Sequence, residues 1–216
     1  MYEDLIEQHL KLVIQENKTT NITRISSYEE GILLHVEDSL TGLPEINAAP
    51  NGLYADLGTG GGFPGIPLAI KTGRTTVLVD SVKKKAAILD RMIATLGLEN
   101  QISSYDDRIE NLARERKNEF AVVTARALAK LSVLMELASP LLLPHGRLIC
   151  YKSHIEEDEL SHALSLQEKT GMTLVSDRSF TLSDDATFRR IVCFEKTAKA
   201  RIVLPRNVGM AQKRPL

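Results

Sequence analysis

Asp56-Leu57-Gly58-Thr59-Gly60-Gly61-Gly62-Phe63-Pro64-Gly65 is the stretch that decides how this chain reads. A short apolar run, Leu53-Tyr54-Ala55-Asp56-Leu57, leads into it as a strand, and residues 66–71 lead out as a helix. Strand, glycine turn and helix form the setting of a ligand-binding loop. Glycine permits positive φ and close approach of a ligand to the backbone. In an open parallel sheet, the first such turn borders the crevice where ligands bind. The spacing is G-x-G-x-G rather than the G-x-G-x-x-G of a dinucleotide loop, and no Gly-Lys-Ser/Thr follows as in a phosphate-binding loop. Pro64 also stands where a helix N-terminus would receive a pyrophosphate. Asp56, ahead of the glycines, suits a cationic ligand. The combination points to S-adenosylmethionine, with its sulfonium and amino group. The plain alternative is a glycine turn that only permits tight packing.

Working outward, residues 75–80 form a β-branched run ending in Asp80, about 20 residues beyond the loop, where a carboxylate accepts hydrogen bonds from ribose hydroxyls. Residues 82–96 read as an amphipathic helix closed by Gly97. A third strand precedes Asp106. Strands then follow at 120–124 and 146–151, with helices at 131–139 and 155–169, and two closing strands at 173–182 and 190–196. This alternation predicts an α/β fold with a doubly wound, mostly parallel sheet. The closing pair puts one antiparallel strand into it. Upstream, residues 2–16 carry apolar side chains at helical spacing. Ser27 and Glu30 form a capping-box pattern for a second helix with Ile32, Leu33, Val36 and Leu40. Gly42, Pro44, Pro50 and Gly52 punctuate a linker. The expected organisation is a helical extension at 1–50, a core domain at 51–198 and a C-terminal arm at 199–216.

The 216 residues carry 27 basic and 28 acidic side chains, a net charge of −1. With 43% hydrophobic and 25% charged residues, the chain is globular in composition. The balance excludes a protein coated uniformly with positive charge. It conceals an asymmetry, however: residues 189–216 sum to +7 and the remainder to −8. Pro205 and Pro215 predict that the tail is an extended arm. Its cations would neutralise the phosphates of a nucleic acid. Cys150 and Cys193 sit in apolar strand runs and read as reduced core thiols, and no metal site is expected. No apolar run approaches the ~18–20 residues that cross a bilayer, and Met1-Tyr2-Glu3-Asp4 does not open a signal peptide. A cytoplasmic monomer without membrane partners is the expectation.

Several segments together resemble the bacterial 16S ribosomal RNA guanine-N7 methyltransferases, also called glucose-inhibited division protein B. They are Asn21-Ile22-Thr23, His35-Val36-Glu37-Asp38-Ser39-Leu40, the glycine loop through Leu68, and Val79-Asp80-Ser81 with Lys84-Lys85. Thr124-Ala125-Arg126-Ala127-Leu128-Ala129, Tyr151-Lys152 and the tail Leu204-Pro205-Arg206 to Leu216 continue the likeness in order. Ser153 stands where that family often has glycine. The resemblance implies a Rossmann-like, seven-stranded class I S-adenosylmethionine-dependent methyltransferase. It also implies transfer to guanine N7 of 16S ribosomal RNA, either free or within the 30S subunit.

Guanine N7 carries an in-plane lone pair and no proton, so its methylation needs no general base, and catalysis is mainly positioning. Arg126, at the end of a buried strand, is the leading catalytic candidate, with donors for guanine O6, a phosphate or the cofactor end of the site. Lys152 follows the next strand and is a candidate for catalysis and for the RNA backbone. His35 and Asp38 lie three apart on one helical face. They read as a structural or RNA-positioning pair, Asp38 fixing the imidazole and the pair closing over the cofactor pocket. Gly58, Gly60, Phe63 and Asp80, together with Ile109 and Glu110 after the third strand, are the cofactor candidates, joined by Arg126. Arg190, Arg201 and Arg206 are further RNA candidates. Lys83, Lys84 and Lys85 read equally as an RNA contact or a solvated face. Two other functions compete. A small-molecule methyltransferase has no use for a basic arm. A non-catalytic RNA-binding assembly factor has no need to keep Gly58, Gly60, Gly62 and Asp80.

Overall fold

The protein, represented by a computed structural model that describes residues 2–216, is built on one seven-stranded sheet. The strands are β1 (Leu53–Leu57), β2 (Thr76–Val79), β3 (Ile102–Tyr105), β4 (Phe120–Arg126), β5 (Leu142–Lys152), β6 (Met172–Thr181) and β7 (Phe188–Lys196). Their order is β3-β2-β1-β4-β5-β7-β6. β1 to β5 run parallel, and β7 is inserted antiparallel between β5 and β6. The predicted antiparallel insertion is therefore present. The strand order reverses between β1 and β4, and the crevice at their C-terminal ends is where such sheets bind ligands.

Helices cover both faces, which is why β2 and β4 read as unbroken apolar runs. On one face α1 (Tyr2–Asn17), α5 (Gly65–Thr72) and α6 (Lys83–Thr95) bury Leu10, Val13, Ile66, Leu78 and Leu89 in one cluster. The other face is covered by α7 (Ile109–Glu115), α8 (Leu131–Ala138) and α9 (Glu157–Ser165), which pack Leu112, Leu134 and Ala163 against Ala55, Val123 and Phe194. A further cluster joins Tyr54, Ile149, Tyr151 and Cys193 to Ile46. Both cysteines are buried thiols, as expected.

Five features depart from the sequence reading. The second helix is a composite: α2 (Tyr28–Gly31), a π-helical turn (Ile32–Glu37) and α3 (Asp38–Leu40). Ser27 caps it, accepting from Glu30 N–H at 3.2 Å. The expected linker holds another helix, α4 (Leu43–Asn47), whose Pro44 lies in the first turn, where proline costs no hydrogen bond. α7 was not expected. The predicted helix at 155–169 breaks into α9 and α10 (Gln167–Thr170). Finally, the C-terminal arm, expected to be extended, includes a short helix, α11 (Met210–Lys213). Met1, the first residue of the expected extension, lies outside the described residues.

Candidate active site

The glycine loop is braced from beneath. Gly58 and Thr59 donate to Val79 O at 2.8 and 3.1 Å, tying the end of β1 to β2. Gly58 has φ +68°, and a Cβ there would meet Leu128 Cδ1 at 2.8 Å. Asp56 is fully buried. It accepts from the Thr124 hydroxyl at 2.6 Å and from Gly65 N–H at 3.0 Å, and Tyr54 O–H lies 2.7 Å from the same Thr124 oxygen. Burial pushes its carboxyl up to about 6. Asp56 is therefore a strut that pins loop, α5 and β4 together.

Two clefts open at the C-terminal ends of the strands. The larger, about 670 Å³, is lined by Thr23, Arg24, His35, Asp38, Arg126, Lys152, Ser153, His154 and Arg189 among others. At its base Arg126 Nη1 donates to Leu34 O and to Asp38 Oδ2, both at 3.0 Å. Arg189 Nε donates to Asp38 Oδ1 at 3.0 Å. Asp38, 3% exposed, thus holds two arginines and not the imidazole. His35 is fixed instead by Arg126 Nη2 at Nδ1 (3.1 Å) and by Thr23 Oγ1 at Nε2 (2.9 Å). A guanidinium can only donate, so Nδ1 accepts and Nε2 carries the proton. Burial, and then the Arg126 charge, push the imidazole down to about 3. Neutral, with both nitrogens engaged, His35 is no general base.

The π-helical turn sets this geometry. It brings Leu34 O, His35 and Asp38 to one guanidinium, while Tyr151 O–H donates to Ser39 O at 2.7 Å from beneath. π-turns recur at functional sites. Beyond Arg126, Ala127 is held at φ +53°, an uncommon conformation for a residue with a Cβ. Arg126 lines the larger cleft and Leu128 the smaller one.

The smaller pocket, about 230 Å³, is bounded by Gly58, Asp80, Ile109, Glu110, Leu128, Leu137, Gly209 and Gln212 among others. Asp80 Oδ1 accepts from Val82 N–H at 2.9 Å, and Oδ2 accepts from Gly60 N–H at 3.3 Å. The carboxylate thus anchors the loop at the pocket's rim.

Residues 2–184 match the family described as rRNA small subunit methyltransferase G. Among similar curated proteins, the ribosomal RNA small subunit methyltransferase G of Carboxydothermus hydrogenoformans is 34% identical, with 98% of this chain and 91% of that protein covered. The protein of the same name in Desulfitobacterium hafniense is 35% identical, over 94% and 85%. The chain belongs to the rRNA small subunit methyltransferase G family. Solved structures share the fold. An O-methyltransferase from Bacillus cereus in complex with SAH superposes with a TM-score of 0.61 at 17% identity, covering 87% of this chain and 90% of that one. Geranyl diphosphate methyltransferase in complex with SAM gives 0.56 at 12%, covering 73% and 85%.

In this member of the methyltransferase G family the small pocket fits a nucleoside. It offers a carboxylate at the rim, apolar walls and a glycine where any Cβ would collide. Four of the cofactor candidates, Gly58, Asp80, Ile109 and Glu110, line it. Gly60 donates its N–H to Asp80 Oδ2 at the rim of the same pocket. Phe63 is buried beneath the loop, its ring stacked on His35 at 4.3 Å and tilted against His9 at 4.4 Å, so it supports the site from behind. Arg126 lines the other cleft.

The RNA candidates fare unevenly. Lys152 Nζ bonds Glu159 Oε1 at 2.7 Å and Ala129 O at 2.9 Å. Arg190 forks onto Asp177 with two bonds of 2.7 Å. Arg206 forks onto buried Glu136 at 2.7 and 2.6 Å, so it is an internal clamp. Arg201 pairs with Glu168 but remains 71% exposed. The cleft residue of the Arg189-Arg190 pair is Arg189. Strand parity places it with Ile191 and Cys193, on the face that packs under Tyr151. Arg24, exposed and without a side-chain partner among the described residues, completes the cleft's cations. It directly follows Thr23, at the end of the Asn21-Ile22-Thr23 segment.

His9 also escaped notice. Its Nε2–H donates to Gly61 O at 2.8 Å, and burial pushes it down to about 4. Between pH 6.5 and 4 the unfolded chain binds a proton that the folded one refuses, so stability falls as pH falls through that window. From pH 7 to 5 the loss from this one group is about 2 kcal/mol. Asp56, held up at about 6, acts in the opposite sense. The histidine's part is therefore read from the difference between parent and His9→Gln, which keeps a donor for Gly61 O. Urea unfolding at pH 7 and 5 is expected to show the parent losing about 2 kcal/mol more than the variant; equal losses would mean His9 titrates normally.

Proposed function

We propose that this protein transfers the methyl group of S-adenosylmethionine to N7 of a guanine in 16S ribosomal RNA. The observation that carries the reading is the pairing of the two clefts across the Arg126-Ala127-Leu128 turn. One suits a nucleoside, and the other is lined by Arg24, Arg126, Lys152 and Arg189. Family membership supports the same reading. Within it, residues 1–50 cap the site, 51–198 form the methyltransferase domain, and 199–216 close it from the C-terminal side. The protein works as a monomer in the cytoplasm, where its RNA is made. No helix among the described residues is long and apolar enough to cross a membrane.

Gly58, Asp80, Ile109 and Glu110 would hold the cofactor, which when bound supplies a methyl group on positively charged sulfur. The chain's own residues position and exclude. Asp80 would offer the ribose hydroxyls an acceptor. Arg24 and Arg189 hold RNA phosphate, a contact that orients without reading sequence. Arg126 spends three donors fixing the π-turn, which leaves Nε and one Nη2 hydrogen for the base or its phosphate. Neutral His35 removes no proton, as N7 chemistry requires. Calorimetric titration with S-adenosylmethionine tests the cofactor assignment. Micromolar binding is expected, and no binding at millimolar cofactor refutes it.

A further inference from the structure

The C-terminal segment 204–216 is held by contacts that an RNA-binding arm would not need. Arg206 forks onto Glu136 of α8. Ala211 is buried against Val133 and Leu137. His162 Nε2 donates to Leu216 O at 2.8 Å. Between these anchors Gly209, at φ +78°, donates its N–H to Glu110 Oε1 at 2.6 Å. Gly209 and Gln212 both line the small pocket. The Gln212 side chain is exposed and has no hydrogen-bonding partner among the described residues.

We propose that segment 204–216 is a built wall of the cofactor pocket, and that the Gln212 carboxamide reads the adenine ring. This rests on the cofactor assignment above. With Asp80 taking the ribose, the base falls toward the end of β3 and the start of α7, among Ile109, Leu128 and Leu137. An adenine edge presents a ring-nitrogen acceptor beside the N6 amine donor. A glutamine carboxamide presents the complementary donor and acceptor and pairs with both at once. Gly209 holds Glu110 by its backbone N–H, so the strap positions a second pocket residue while presenting Gln212.

The test is a cycle between Gln212 and the 6-amino group, read by calorimetry with S-adenosylhomocysteine and its analogue lacking that group. The parent is expected to prefer the 6-amino ligand about tenfold. Gln212→Ala is expected to bind S-adenosylhomocysteine about tenfold more weakly and to lose the preference, with its unfolding midpoint unchanged because the side chain is exposed. A variant that keeps both the affinity and the preference overturns the Gln212 proposal alone. A parent that binds neither ligand overturns the cofactor assignment, and this proposal with it.

Discussion

Arg126→Ala is expected to lower methyl transfer at least about 100-fold and to reduce unfolding free energy by about 3 kcal/mol. The side chain is the hub of the larger cleft, meeting Leu34 O, Asp38 and His35 Nδ1 from one guanidinium. Its removal strips one of two cations from buried Asp38 and leaves the imidazole acceptor empty. Breaking a buried ion pair is costly because the remaining charge is uncompensated; Arg189, still at 3.0 Å from Asp38 Oδ1, keeps the loss at the lower end. Arg126→Lys separates stability from function. It keeps a cation beside Asp38, but a point-like ammonium cannot reproduce the fork that holds three acceptors. The lysine variant is expected to fold with near-parental stability and still lose most activity. A folded Arg126→Lys enzyme with parental turnover would show that the π-turn needs only charge at this point.

Asp80→Ala is expected to weaken S-adenosylmethionine binding by about 2–3 kcal/mol, or about 30- to 150-fold. The carboxylate does two things at once. It anchors Gly60 and Val82 by their N–H groups, and it stands at the pocket's rim where ribose hydroxyls need an acceptor. Asp80→Asn retains one acceptor oxygen and is expected to fall between parent and alanine. Unchanged affinity in the alanine variant would reduce Asp80 to a brace for the loop.

The fold was legible because its signals are local. The loop around Gly58, the run ending at Asp80 and the alternation that follows are each contained within about 20 residues. The antiparallel insertion followed from two strands with no helix between them. Around the larger cleft the determinants are distant. Asp38 meets Arg126 and Arg189 across 88 and 151 positions, and nothing near Asp38 announces either. The π-turn is equally hidden, since one extra residue in a helical turn leaves an apolar pattern nearly unchanged. Arg189 was recoverable: parity with Ile191 and Cys193 separates it from Arg190. The tail misled for a physical reason. Composition counts charges but not their partners, and Arg190, Arg201 and Arg206 each meet a carboxylate of the body. The −8 of the body and the +7 of the tail therefore partly cancel by contact.

Mass mapping of 16S ribosomal RNA from a strain lacking this protein tests the central claim most directly. The account predicts loss of a single 7-methylguanosine, restored by the parental chain and not by Arg126→Lys. Ribosomal RNA with every 7-methylguanosine intact in the deletion strain would contradict it.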